Sequence, residues 1–209
     1  MIKIKNDLPY YIKKAEQNDK YGDGIIAFPD DYVVLDLETT GLCAGRDLII
    51  EFAAVKVKCG QVVDTFQSLC DPGFPIPPAI EAITGITTEM VRNSPNPRNV
   101  LPDFLDFVGD SYIVGHNVLF DVRFITASAG TFKNTYIDTM KIFRKLHPAF
   151  PHHRLCDMVE YYGKRNDSAH RALSDCLATK ECFDALKEDA TRLYGDTFKF
   201  LTRDRKSVV

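Results

Sequence analysis

Apolar positions fall into short β-branched runs in the first third of the chain and into three-to-four spaced stripes later. Tyr32-Val-Val-Leu-Asp-Leu37, ended by Thr-Thr-Gly, has the pattern of a central strand. Leu48 to Val57 and Gln61 to Leu69 predict two further strands around Lys58-Cys-Gly60, where Gly60 suits a tight hairpin. A proline-rich connection follows from Pro72 to Pro78, then a short helix from Ala79 to Gly85. Leu101, Phe104, Leu105 and Val108 predict a helix over Val100 to Val108. Tyr112 to Gly115 reads as a strand, Phe120 to Ala129 as a helix and Thr135 to Ile137 as a brief strand. Asp138 is placed to cap a helix to Leu146, and helices over about Arg154–Tyr162 and Ala169–Leu193 complete the series. Three antiparallel strands followed by alternating strands and helices give an α/β class, with a mixed five-stranded sheet flanked by helices. The pattern divides the chain into an extension over residues 1–30 lying on the core, with a short helix from Asp7 to Ala15, a domain over residues 31–193 and a short tail over residues 194–209.

The 209 residues are 45% hydrophobic, enough for one compact domain with a real core. With 26 Lys+Arg against 29 Asp+Glu, global positive charge cannot hold a polyanion here, although bound metal could. No apolar run reaches the roughly 18 residues of a membrane helix, and Met1-Ile-Lys-Ile-Lys lacks the core of a signal peptide, so a cytoplasmic protein with no membrane partner is expected. The six cysteines are scattered, without zinc-ligand spacing, and are expected to remain thiols.

Asp36 and Glu38 flank Leu37 at the end of the apolar strand, so both point to one face. Two like charges half-buried together need something positive between them, and hard oxygen donors select Mg²⁺ or Mn²⁺. The plainer reading is a capping Asp and a solvated Glu. Asp121, in Gly115-His-Asn-Val-Leu-Phe-Asp121, would project from the first turn of a helix over the sheet edge. It can equally be an acid favoured by the helix dipole. In His170-Arg-Ala-Leu-Ser-Asp175, the two end residues lie roughly 140° apart on one helix, so they reach a common cleft only if His170 precedes it.

In combination, Asp36-x-Glu38-Thr-Thr-Gly-Leu42, His116-Asn…Phe120-Asp121 and His170-x-Ala-x-x-Asp175 resemble, in that order, the three exonuclease motifs of the DEDDh (DnaQ-like) family. That family includes the proofreading subunit or domain of bacterial replicative polymerases. The resemblance runs from about Tyr32 to Leu186, with support from Arg46 to Val55, Ile83-Thr-Gly-Ile-Thr87 and Tyr136-Ile-Asp-Thr-Met140. It implies a ribonuclease H-like fold and a metal-dependent 3′–5′ exonuclease that releases 5′-mononucleotides from single-stranded 3′ ends, with DNA favoured over RNA. Asp36, Glu38, Asp121 and Asp175 are the implied ligands of two divalent cations, Mg²⁺ or Mn²⁺, and His170 the implied general base. Thr39, Thr40 and Gly41 would meet the terminal sugar. Leu42, Ile83 and Phe120 would frame the last base, although Ile83 and Phe120 also suit plain core packing. Thr84 and His116 are polar-contact candidates, Thr84 standing where proofreading members often carry a histidine. Lys141, Arg144, Lys145, His147, His152, His153 and Arg154 form a basic stretch that either tracks phosphates or is a solvated face. An exoribonuclease and a catalytically silent interaction module are the alternatives, and the intact acid set argues against the second. Only a short segment follows Leu193, so a free-standing enzyme is expected as much as one associated with a DNA polymerase.

Overall fold

The computed structural model describes residues 20–166 and 169–195; the helix expected from Asp7 to Ala15, and the chain beyond Gly195, lie outside them. Each strand run forms close to its expected limits: β2 spans Tyr32–Thr39, β3 Ile49–Lys58, β4 Gln61–Leu69, β5 Ile113–Gly115 and β6 Tyr136–Asp138. A two-residue β1, Gly24–Ile25, precedes them. The helices are α1 Pro78–Thr84, α2 Thr88–Val91, α3 Pro97–Val108, α4 Leu119–Ala129, α5 Thr139–Leu146, α6 Leu155–Tyr161 and α7 Ala172–Tyr194.

The sheet has six strands, not five, in the order β1-β6-β5-β2-β3-β4. β2, β3 and β4 pair antiparallel, while β5, β6 and β1 extend the sheet in parallel from β2. The extra strand has no periodicity to read. It exists because Gly24 and Ile25 pair with Tyr136 and Ile137, and Ile25 to Phe28 pack beside Phe183 and its neighbours. Part of the expected extension is thus the edge of the sheet.

Period-two alternation along β2 sends Tyr32 and Val34 to the face covered by α5, α6 and α7. Val33, Leu35 and Leu37 go to the face covered by α3 and α4. Asp36 and Glu38 continue the first series, so the register that buries β2 also aims both acids toward α7. Both faces are dry, which is why β2 reads as a nearly continuous apolar run.

Helix ends follow local chemistry. Asp138 caps α5 as expected, accepting from the N–H groups of Met140 and Lys141. Asn96 caps α3, whose first turn carries Pro97 and so starts before the apolar stripe does. α2, capped by Thr87, is too short to show a period. α7 starts at Ala172, later than expected, because His170 sits at φ 66°, which no right-handed helix accommodates.

Gly115 ends β5 where the chain turns toward α4. A Cβ there would lie 2.6 Å from Val118 Cγ2 and 3.1 Å from the Leu35 carbonyl oxygen. Gly115→Ala is therefore expected to lower stability by about 1–3 kcal/mol, the usual cost of overpacking, read as a fall in the urea midpoint at unchanged slope.

Candidate metal centre and active site

The site is built from the end of β2, the first turn of α4 and the first turn of α7. Asp36 and Glu38 are half-buried, and Asp121 and Asp175 are buried. One carboxylate oxygen each from Asp36, Glu38 and Asp175 lies within 4.8 Å of the others. Asp121 joins them through the backbone, since the Leu37 N–H donates to its Oδ1 at 3.1 Å. Residue 37 lies between the two β2 acids, so this bond seats Asp121 beside them.

No ammonium or guanidinium pairs with Asp36, Glu38, Asp121 or Asp175 in a salt bridge among the described residues. The electrostatic consequence is direct. Burial, then the charges of Asp121, Glu38 and Asp175, push the Asp36 carboxyl well above its usual range. Glu38 is pushed up to about 8 by burial and by Asp175 and Glu51, with Arg171 pulling the other way. Burial raises Asp121 against the pull of backbone donors. Burial also raises Asp175 against hydrogen bonds from Asn166 and the His170 N–H. Closely spaced oxygens that resist ionising side by side fit a hard divalent cation, whose charge would favour the ionised carboxylates and offset these shifts.

A fifth acid sits next to the cluster without being free to join it. Glu51 of β3 faces Glu38 in register and is fully buried. It accepts from Arg171 Nη2 at 3.0 Å and Nε at 3.3 Å, from the Ala172 N–H at 3.1 Å and from Gln67 Nε2 at 2.8 Å. These bonds bolt the start of α7 to the sheet, and with it the segment carrying His170 and Asp175. Sequence reasoning treated Glu51 only as part of a strand motif. Its signal was the one that singled out Asp36: an acid inside an apolar β run, here Ile49-Ile-Glu-Phe-Ala53.

His170 is exposed in the turn before α7, and its own N–H donates to Asp175 Oδ2 at 3.1 Å. Of the three non-glycine residues with positive φ among those described, Asn117 and His170 both lie in motif loops. Asn117 is held there by its N–H to Asp138 Oδ1.

The other expected contacts divide into two groups. Leu42 is 82% exposed and Ile83 56%, so both present apolar surface to solvent. Phe120 is half-buried, with its ring 4.9 Å from that of Phe124. The Thr39 hydroxyl donates to the Gly41 carbonyl, and Thr40 Oγ1 accepts from the Leu48 N–H, which orders the turn after β2. Gly41 has no room for a Cβ, because Asp47 Oδ2 would be 2.5 Å from it. Thr84 and His116, the expected polar contacts, both make hydrogen bonds within the fold. Thr84 is buried, donating to the Ile80 carbonyl and accepting from the Ile86 N–H. His116 binds Thr139 Oγ1 through Nδ1 and the His153 carbonyl through Nε2, and burial lowers its pKa, keeping it neutral. The basic stretch is also partly committed to the fold. His147 binds Asp189, Arg154 pairs with Asp157 and Lys141 with Asp138, leaving Arg144, Lys145 and His152 exposed.

A mixed sheet with an acidic cluster at the end of its central antiparallel–parallel junction defines a ribonuclease H-like nuclease fold. Residues 33–183 match the model of the exonuclease family (RNase T type), and the chain belongs to that family. The epsilon subunit of DNA polymerase III from Aquifex aeolicus is 37% identical over 169 residues, 78% of this chain and 84% of that protein. PolC-type DNA polymerase III from Clostridium perfringens is 40% identical over 171 residues; the match takes in 78% of this chain but only 12% of that much longer polymerase. Exonuclease X, solved with 5′-overhanging duplex DNA, has a TM-score of 0.64 at 29% identity, over 75% of this chain and 91% of that one. No helix among the described residues is long and apolar enough to cross a membrane.

The raised carboxyl of Glu38 makes a signed prediction. A group whose folded pKa lies above its unfolded value contributes stability below the unfolded value, near 4.5, and loses it as pH rises through the folded one, about 8. In EDTA, Glu38→Gln is expected to melt with the parent at pH 5 and about 3–8 °C above it at pH 8.5. Excess Mn²⁺ at pH 8.5 is expected to close most of that gap. Parallel melting curves at both pH values would contradict the electrostatic picture.

Proposed function

We propose that this protein is a divalent-metal-dependent 3′–5′ exonuclease that removes 5′-mononucleotides one at a time from single-stranded DNA ends. The observation that carries the reading is the meeting of Asp36, Glu38 and Asp175, with Asp121 one backbone hydrogen bond away. Asp36, Glu38, Asp121 and Asp175 would hold two divalent ions, whose charge would favour the attacking water and the leaving oxygen of an in-line displacement. Asp36, which lies with Glu38 and Asp175 and takes charge repulsion from Asp121 as well, would serve both ions. Glu38 and Asp175 serve the side of the attacking water, and Asp121 the side of the leaving 3′ oxygen.

His170 takes the proton from the attacking water. Its place ahead of α7, in an exposed turn tied to Asp175, supports that role, because a proton acceptor must face solvent and substrate together. Leu42, Ile83 and Phe120 offer apolar surface to the terminal base, which any base can share, so cleavage is expected to be nearly blind to sequence. Thr39, Thr40 and Gly41 form the ordered turn that meets the sugar. The likeness to polymerase III epsilon and PolC supports work on DNA beside a polymerase, in proofreading or repair.

The test is a time course on 5′-labelled single-stranded DNA and matched RNA with Mg²⁺ or Mn²⁺. A ladder shortening from the 3′ end is expected, faster on DNA, lost in EDTA and lost in Asp36→Ala. His170→Ala is expected to lower kcat about 10²–10⁴-fold with little change in KM. Absence of metal-dependent cleavage of either polymer would refute the reading.

A further inference from the structure

Asp175 differs from the other three acids in what surrounds its oxygens. Asn166, in the loop after α6, donates from Nδ2 to Asp175 Oδ1, and the His170 N–H donates to Oδ2. A carboxylate has about four lone-pair sites, so one is left on each oxygen after these bonds. One of those oxygens is the atom that lies within 4.8 Å of Asp36 and Glu38. An asparagine amide can present either its nitrogen or its oxygen, and the oxygen would repel the carboxylate. Here the carboxylate, which only accepts, draws the nitrogen toward Asp175, and the Ser174 hydroxyl donates to Asn166 Oδ1 at 2.6 Å on the far side. One half-buried amide therefore spans two consecutive side chains in the first turn of α7.

We propose that Asn166 is a positioning residue for the metal site: backed by Ser174, its amide keeps the Asp175 carboxylate turned toward Asp36 and Glu38. The inference rests on the metal-centre reading given above. It concerns the side chain alone, because the backbone of this turn is held separately by Glu51 through Arg171 and Ala172. Removing Asn166 keeps that bolt in place but leaves the carboxylate oriented by the His170 N–H alone. Groups that orient a metal ligand from outside its coordination shell typically alter metal affinity by about 10–100-fold.

The experiment titrates Mn²⁺ alone into the full chain by calorimetry, without nucleic acid, and records melting in EDTA alongside. Asn166→Ala is expected to weaken Mn²⁺ binding about tenfold while shifting the metal-free melting temperature by less than about 2 °C. Ser174→Ala is expected to lose less affinity in the same direction. Asn166→Asp is expected to lose more than Asn166→Ala in the neutral range, because it sets a like charge against Asp175. Mn²⁺ binding that is unchanged or tighter in Asn166→Ala overturns the proposal, and so does a loss that merely tracks a lower metal-free melting temperature. Asp36→Ala separates the two readings. If the parent binds Mn²⁺, Asp36→Ala does not and Asn166→Ala matches the parent, only the role of Asn166 fails. If the parent itself does not bind Mn²⁺, the metal centre fails and the role of Asn166 with it.

Discussion

The burial of four carboxylates side by side is the constraint to which the rest of this molecule answers. Asp36, Glu38, Asp121 and Asp175 are brought together at the edge of a dry core; burial makes each harder to ionise, and the neighbouring acids add to it at Asp36 and Glu38. Such a cluster is unfavourable for folding by itself. It persists because the surroundings hold it firmly: β2 is buried on both faces, α7 is bolted to β3 through Glu51, and α4 is tied to β2 through Asp121. The stability of the sheet sustains a locally unstable arrangement, and a divalent cation relieves it.

The division between backbone and side chain explains how three distant segments converge. β2 supplies two acids by alternation alone. The other two come from helix starts, where a residue in the first turn projects back over the end of the sheet. Glu51 shows how finely charge is sorted in this region. It lies opposite Glu38 in the sheet, yet its oxygens are taken up by Arg171, Ala172 and Gln67, so it braces the segment that carries Asp175. The region thus contains two kinds of acid, Glu51 with a guanidinium partner and the four cluster acids without a salt bridge among the described residues.

Much of this could be read from the chain because the relevant signals are local. The apolar run broken by Asp36 and Glu38, the cap at Asp138 and the hairpin at Gly60 each depend on a handful of adjacent residues. What escaped depended on contacts distant in sequence. β1 is only two residues long and exists through pairing with β6, where Gly24 meets Tyr136, 112 residues later. The inward turn of Thr84 and the double engagement of His116 come from packing partners, here Ile80, Ile86, Thr139 and His153, that no spacing rule selects. Asn166 belongs to no motif and matters only because its loop folds back onto α7.

The bond from the Leu37 N–H to Asp121 has a consequence for how this centre can change over time. A carboxylate anchored to a peptide N–H does not register which side chain that residue carries, so apolar exchanges at position 37 leave the anchor untouched. Proline alone, with no N–H to give, would cut it. The lining of the strand can therefore drift while the geometry of the acids is inherited unchanged.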